Sequence, residues 1–161
     1  MISLSFTVPG EPVAKARARI TANGSFTPDK SVKFEKRVRR TAEAHLHNLG
    51  AGGQFPAEGP VSGVIYCYFG VPKSWPKWKQ EAAIAEDMPH LTKPDEDNVN
   101  KAVKDALNGL IYKDDAQVVD FRVVKRYAAE PATVIDLSVE PSAPPAKRGE
   151  FASWLIATAL R

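Results

Sequence analysis

The sequence predicts an α/β (α+β) fold in a single domain, a mixed β-sheet with its helices packed on one face. Three observations lead there. Apolar residues alternate or cluster as strands do at both ends of the first 140 residues, two stretches between them repeat at helical spacing, and the elements follow one another as β-α-β-α-β-β. A chain of 161 residues with 43% hydrophobic and 25% charged residues has the composition and length of one ordinary domain.

Residues 2–8 open the chain as a half-buried strand: Ile2, Leu4, Phe6 and Val8 alternate with Ser and Thr, and Pro9-Gly10 ends it. From residue 31 to about 49, Phe34, Val38, Ala42, Leu46 and Leu49 form the apolar stripe of a long helix, with Asp29 or Ser31 available as its cap. Lys33, Lys36, Arg37 and Arg40 fall on the opposite side within an arc of about 100°, which makes one face of that helix cationic. A Gly/Pro-rich loop over 50–60 leads into 61–70, rich in Val, Ile, Tyr and Phe, the expected central strand. Residues 71–79 interleave Trp75 and Trp78 with three lysines before a short helix over 80–86. Such a pattern suits stacking on unpaired bases and suits a subunit contact equally well.

The second clear helix spans 98–107, where Val99, Ala102, Val103, Ala106 and Leu107 share a face and Asn108-Gly109 is the stop signal. Residues 118–127 and 132–139 then read as two strands, expected to form a hairpin through 128–131. A domain of residues 1–140 is therefore followed by a Pro-rich linker and tail over 141–161, whose residues 151–160 are apolar on every side and read as a tail helix.

Several classes of function are excluded or disfavoured. The longest apolar runs, 64–71 and 154–160, are far shorter than the ~20 residues of a membrane helix. The N-terminus lacks the pattern of a secretory leader, so a cytoplasmic protein is expected. Cys67 is the only cysteine and sits in an apolar run, as a small buried side chain would. A net charge of +3 is mild, but residues 1–40 hold nine Lys or Arg against three acids, while acids gather between Glu81 and Asp120. That distribution suits a polyanion held by one region and processed by another.

The chemistry concentrates in residues 93–115. Pro94 biases Lys93 toward an extended backbone, and if the extension continues, Asp95 and Asp97 project to the same side. Two carboxylates so close favour a divalent cation between them. Oxygen ligands suit Mg²⁺ or Mn²⁺; His45 and His47 lie on different faces of a helix and His90 is alone, which leaves zinc without a ligand set. Asp97 also stands four residues before Lys101, on one helix face. Each piece has a plain structural alternative: Asp97 as a helix cap, Asp95 as a charge on the helix dipole, Lys101 with Asp105 as an i, i+4 pair, and Lys113-Asp114-Asp115 as a polar turn.

Taken together, Lys-Pro-Asp-Glu-Asp-Asn at 93–98, Lys101, Asp-Ala-Leu-Asn-Gly at 105–109, Lys-Asp-Asp-Ala-Gln-Val-Val at 113–119 and Lys-Arg-Tyr at 125–127 resemble the RusA family of Holliday junction resolvases. The Gly-Glu-Pro-Val-Ala-Lys-Ala-Arg-Ala-Arg run at 10–19 is similar to that family's opening loop. The resemblance covers most of residues 1–140. It implies a homodimeric crossover junction endodeoxyribonuclease of DNA recombination and repair, of bacterial or phage origin, that uses Mg²⁺ or Mn²⁺ and no small-molecule cofactor. By position it makes Asp95, Asp97 and Asp115 the catalytic, metal-binding acids and Lys101 the essential lysine, with Asp114 a weaker candidate. Glu96 departs from the family, which often has an apolar residue there. Charge placement adds Lys15, Arg17, Arg19 and Lys93, with Lys33, Lys36, Arg37 and Arg40 behind them, as phosphate contacts. Two rival expectations stand beside this one: a nuclease for flaps or forks, and a branched-DNA binder that does not cut.

Overall fold

The computed structural model describes residues 1–16, 19–21, 24–26 and 28–142; Arg17 and the linker and tail from 143 onward lie outside them. The predicted class is what folds: one mixed four-stranded sheet with helices on one face. Strand β1 (Ile2–Pro9) buries Leu4, Phe6 and Val8 and turns the residues between them outward. The other three strands are β4 (Val61–Gly70), β5 (Val118–Ala128) and β6 (Ala132–Val139), in the order β1-β6-β4-β5. A small ribbon of β2 (Arg19–Thr21) and β3 (Gly24–Phe26), which no sequence pattern announced, stands apart from the sheet.

The expected hairpin between the last two strands is not formed. Strand β4 lies between them, antiparallel to β6 from Val61↔Val139 to Tyr68↔Ala132 and parallel to β5 up to Gly70↔Ala128. The most apolar strand thus takes the centre, and residues 129–131 cross its end. A parallel pair cannot be closed by a short turn, so the chain between β4 and β5 makes a long crossover that carries two helices. At Gly63, where β4 meets β6, a Cβ would lie 2.5 Å from the carbonyl oxygen of Asp136, which excludes any side chain.

Helix α1 (Asp29–Asn48) buries Phe34, Val38, Ala42 and Leu46 as its periodicity predicts. Neither proposed cap serves it. The helix starts at Asp29 after Pro28, and buried Ser31 accepts the backbone N–H of Ala16 while donating to Glu35. Helix α2 (Lys77–Ile84) begins three residues earlier than expected, directly after Pro76. Helix α3 (Glu96–Leu107) buries the five predicted residues and packs against both α1 and β5. Beneath the helices lies one core, with Cys67 inside it and its thiol pushed up to about 12 by burial. No helix among the described residues is long and apolar enough to cross a membrane.

Candidate active site

The buried stripe of α3 leaves the opposite side of the helix to positions 97, 100, 101, 104 and 105, one turn after another. Glu96, Asp97, Asn100, Lys101, Lys104 and Asp105 line a cleft of about 290 Å³ together with Asp115. Asp115 arrives from a separate segment, a single 3-10 turn (Asp115–Gln117) just before β5. Fully buried Tyr112 ties that segment to α3 by donating its hydroxyl to the Lys104 carbonyl at 2.9 Å. Burial, followed by the charges of Asp115 and Asp105, raises the Tyr112 phenol above its ordinary range and keeps it protonated. Gln117 Nε2 adds bonds to the carbonyls of Ala57 and Gly59 at 3.0 and 2.8 Å.

The adjacent acids of this turn are not equivalent. Asp114 accepts the Ala116 N–H through Oδ1 at 2.8 Å, and Gln117 Oε1 accepts the Asp114 N–H at 2.9 Å, a closed capping box. Asp115 is exposed and faces the cleft.

Asp95 behaves differently from expectation. The extended backbone stops at this residue, which is the N-cap of α3 (φ −68°, ψ 144°), and Asp97 already sits in the first helical turn. The two acids therefore do not project side by side from a strand, and Asp95 is not part of the cleft wall. Its side chain makes no capping bond either, although its carbonyl accepts the Val99 N–H at 3.3 Å. Among the described residues, no three acidic, cysteine or histidine side chains converge into a metal-holding group. The cleft nevertheless fits a hard cation in kind: its donors are oxygens, and Asn100 Oδ1 is buried there without a hydrogen-bond partner among the described residues.

The cations divide into two sets. Lys15, expected on phosphate, places Nζ 2.9 Å from both Glu35 Oε2 and Asp105 Oδ2, and its N–H donates to the Asn98 carbonyl at 2.8 Å. Burial works against that ammonium, but the bonds from Asp105 and Glu35 prevail and hold its pKa above the ordinary lysine value. Asp105 is therefore clasped by Lys15 rather than by Lys101. Arg39 donates to the carbonyls of Ala106 and Asn108 at the C-terminal end of α3, at 3.3 and 3.1 Å. Arg37 is half-buried, 3.0 Å from the Glu11 carbonyl and lying over the Phe34 ring. Lys33, Lys36, Arg40 and Lys93 are exposed. Arg19 belongs to β2, but its side chain, like all of Arg17, lies outside the described residues.

The tryptophans also separate. Trp75 packs edge-on against Tyr127, with Lys79 Nζ 3.9 Å from its ring centre, whereas Trp78 is 67% exposed. Sequence reasoning missed Asn100 and Asp105 as cleft residues, although their spacing from Asp97 on one helix face carried the signal. It also missed Arg39 as a brace, whose partners lie more than 60 residues away and leave no local trace.

An α+β domain with a cleft lined by carboxylates and an amide, two lysines in its wall and exposed cations on a neighbouring helix has the makings of a protein that handles phosphodiesters. Residues 9–138 match the family described as Endodeoxyribonuclease RusA. The chain is also 43% identical over 137 residues to an uncharacterised Bacillus subtilis (strain 168) protein, YqaN, a match spanning 81% of this chain and 92% of that one. The chain belongs to the RusA endodeoxyribonuclease family, a family of Holliday junction resolvases.

Proposed function

We propose that this protein is a Mg²⁺- or Mn²⁺-dependent endonuclease that resolves four-way DNA junctions by paired, symmetric phosphodiester hydrolysis, acting as a homodimer. The observation that carries the reading is the meeting of Asp97, Lys101 and Asp115, from two separate segments, in one cleft. Asp97 and Asp115 would hold the cation together with Asp95, and Asn100 offers a further oxygen. When bound, the cation supplies Lewis acidity toward a phosphoryl oxygen and lowers the pKa of water.

The chain's own groups do the rest. Lys101 makes no ion pair among the described residues, so its ammonium is available to stabilise negative charge on the attacked phosphate. Lys33, Lys36, Arg40 and Lys93 supply sequence-independent phosphate contacts that orient the duplex arms. One chain has one such cleft among its described residues. Two symmetric incisions therefore require two chains related by the two-fold symmetry of the junction.

The test is cleavage of labelled synthetic four-way junction, flap and fork substrates by the wild type and Asp97→Asn in Mg²⁺, Mn²⁺ or EDTA, with binding measured in Ca²⁺. Paired nicks that vanish in EDTA and in the variant, with binding retained, support the proposal. Binding without nicks makes the protein a structural branched-DNA binder, and preferential cutting of flaps or forks moves its substrate elsewhere.

A further inference from the structure

Lys125 lies in β5 opposite Cys67 of β4, so its side chain leaves the sheet on the face that carries the helices. It is not in the wall of the acidic cleft. Instead its Nζ donates to two backbone carbonyls, those of Thr92 and Pro94, each at 2.8 Å. Pro94 immediately precedes Asp95. Asp95 makes no side-chain capping bond, and α3 holds it through the Val99 N–H on its carbonyl, so the place of the carboxylate depends also on the backbone that leads into the helix.

A second set of contacts holds the same segment from its other end. The His90 ring stacks on Phe69 at 4.1 Å and lies 4.6 Å from Tyr127, two residues beyond Lys125 on β5. Residues 90–94 are therefore pinned to the end of the sheet by stacked rings and by an ammonium that grips two carbonyls. One bond would leave the segment free to pivot, whereas two from a single charged donor fix its direction as well as its position. A helix N-terminus ordinarily uses an aspartate at this place as its cap; here the approach is held from the sheet and the carboxylate is left for another use.

The geometry points to Lys125 as a positioning residue that sets Asp95 at the mouth of α3, so that it joins Asp97 and Asp115 around the cation. This rests on the cleft being the metal-dependent cutting site. Lys125 and Lys101 then have separate tasks: Lys101 acts on the phosphate, and Lys125 acts only through the backbone that leads to Asp95.

The experiment compares full-length wild type, Lys125→Met, Lys125→Arg and Lys101→Met. Four quantities are read: Tm, junction binding in Ca²⁺, the Mg²⁺ concentration for half-maximal cleavage, and the rise in Tm caused by Mn²⁺ without DNA. For Lys125→Met the expected result is near wild-type binding, a Mg²⁺ requirement raised about 10-fold and a smaller Mn²⁺-induced rise in Tm, with partial recovery in Lys125→Arg. Lys101→Met should instead lose maximal rate while keeping the Mn²⁺ response. A Lys125→Met protein with an unchanged Mg²⁺ requirement and Mn²⁺ response overturns the proposal, whatever its maximal rate. If that variant does not fold, Lys125→Gln, whose neutral and shorter side chain removes the charged donor, is read by the same criteria. A wild type that shows neither cleavage nor a Mn²⁺ response contradicts the underlying reading of the cleft, an outcome distinct from the failure of Lys125 alone.

Discussion

Helices α1 and α3 pack against each other and carry opposite charge patterns, yet their difference lies less in sign than in what holds the charges. On α3 the acidic side is braced from outside, by Lys15 on Asp105, by Arg39 on the final carbonyls and by Lys125 on the approach to Asp95. On α1, Lys33, Lys36 and Arg40 stand exposed. Cations of similar appearance in the sequence therefore serve as struts in one place and face solvent in another. Only the partner distinguishes them. A strut resists loss of an atom-specific bond, whereas an exposed cation acts through long-range attraction that salt weakens.

The contrast can be broken most forcefully within the cleft. Lys101→Ala should lower the cleavage rate on the order of 10²–10³-fold with little change in Tm, since the task proposed for its charge is on the reacting phosphate rather than in the fold. Rates under single-turnover conditions check this. Replacing Lys33, Lys36 and Arg40 together by Ala should weaken junction binding and reduce its salt dependence by about one counterion for each phosphate left without its cation, again with Tm nearly constant. A salt titration of binding measures it, and an unchanged slope removes the α1 face from the DNA interface.

Lys15→Met should reverse that pattern. It leaves Glu35 and Asp105 partly buried without their shared partner, so stability should fall by about 1–2 kcal/mol while the salt slope of binding is retained. Denaturant unfolding and the same salt titration decide it. The smallest effect is expected from His90. Burial first, and the charge of Lys125 second, hold its imidazole below the ordinary pKa. Below about pH 6.5 the unfolded chain takes up a proton that the folded chain refuses, so this residue's contribution to stability declines as pH falls from there toward the lowered folded value. Unfolding measured across pH 7 to 5 should show a shallower acid decline in His90→Phe, which keeps the ring stack without the titration.

What could be read from the residues follows the range of the interactions. The stripes Phe34-Val38-Ala42-Leu46 and Val99-Ala102-Val103-Ala106 are local and periodic, and both helices appear where periodicity puts them. The place of β4 between β5 and β6 is a pairing of distant segments, while the residues 128–131 read locally as a hairpin turn. In the site, the meeting of Asp97 with Lys101 needed only helical geometry. The separation of Asp114 from Asp115 needed the partner Gln117 in its folded position, and the destination of Lys15 depended on Asp105, ninety residues away. Asp95 and Asp97 do not share one side of a strand because the proline-biased extension ends at Asp95, two residues sooner than the local pattern suggested, where α3 begins.

The two neighbouring acids of the 3-10 turn offer the most direct test of the central claim that the cleft cuts DNA. Four-way junction cleavage by Asp115→Asn and Asp114→Asn should be measured side by side at saturating Mg²⁺, with Ca²⁺ binding as a control. Asp115→Asn is expected to bind but not cut, while Asp114→Asn, which keeps an acceptor for the Ala116 N–H, should cut at close to the wild-type rate. Full cutting by Asp115→Asn would contradict the claim.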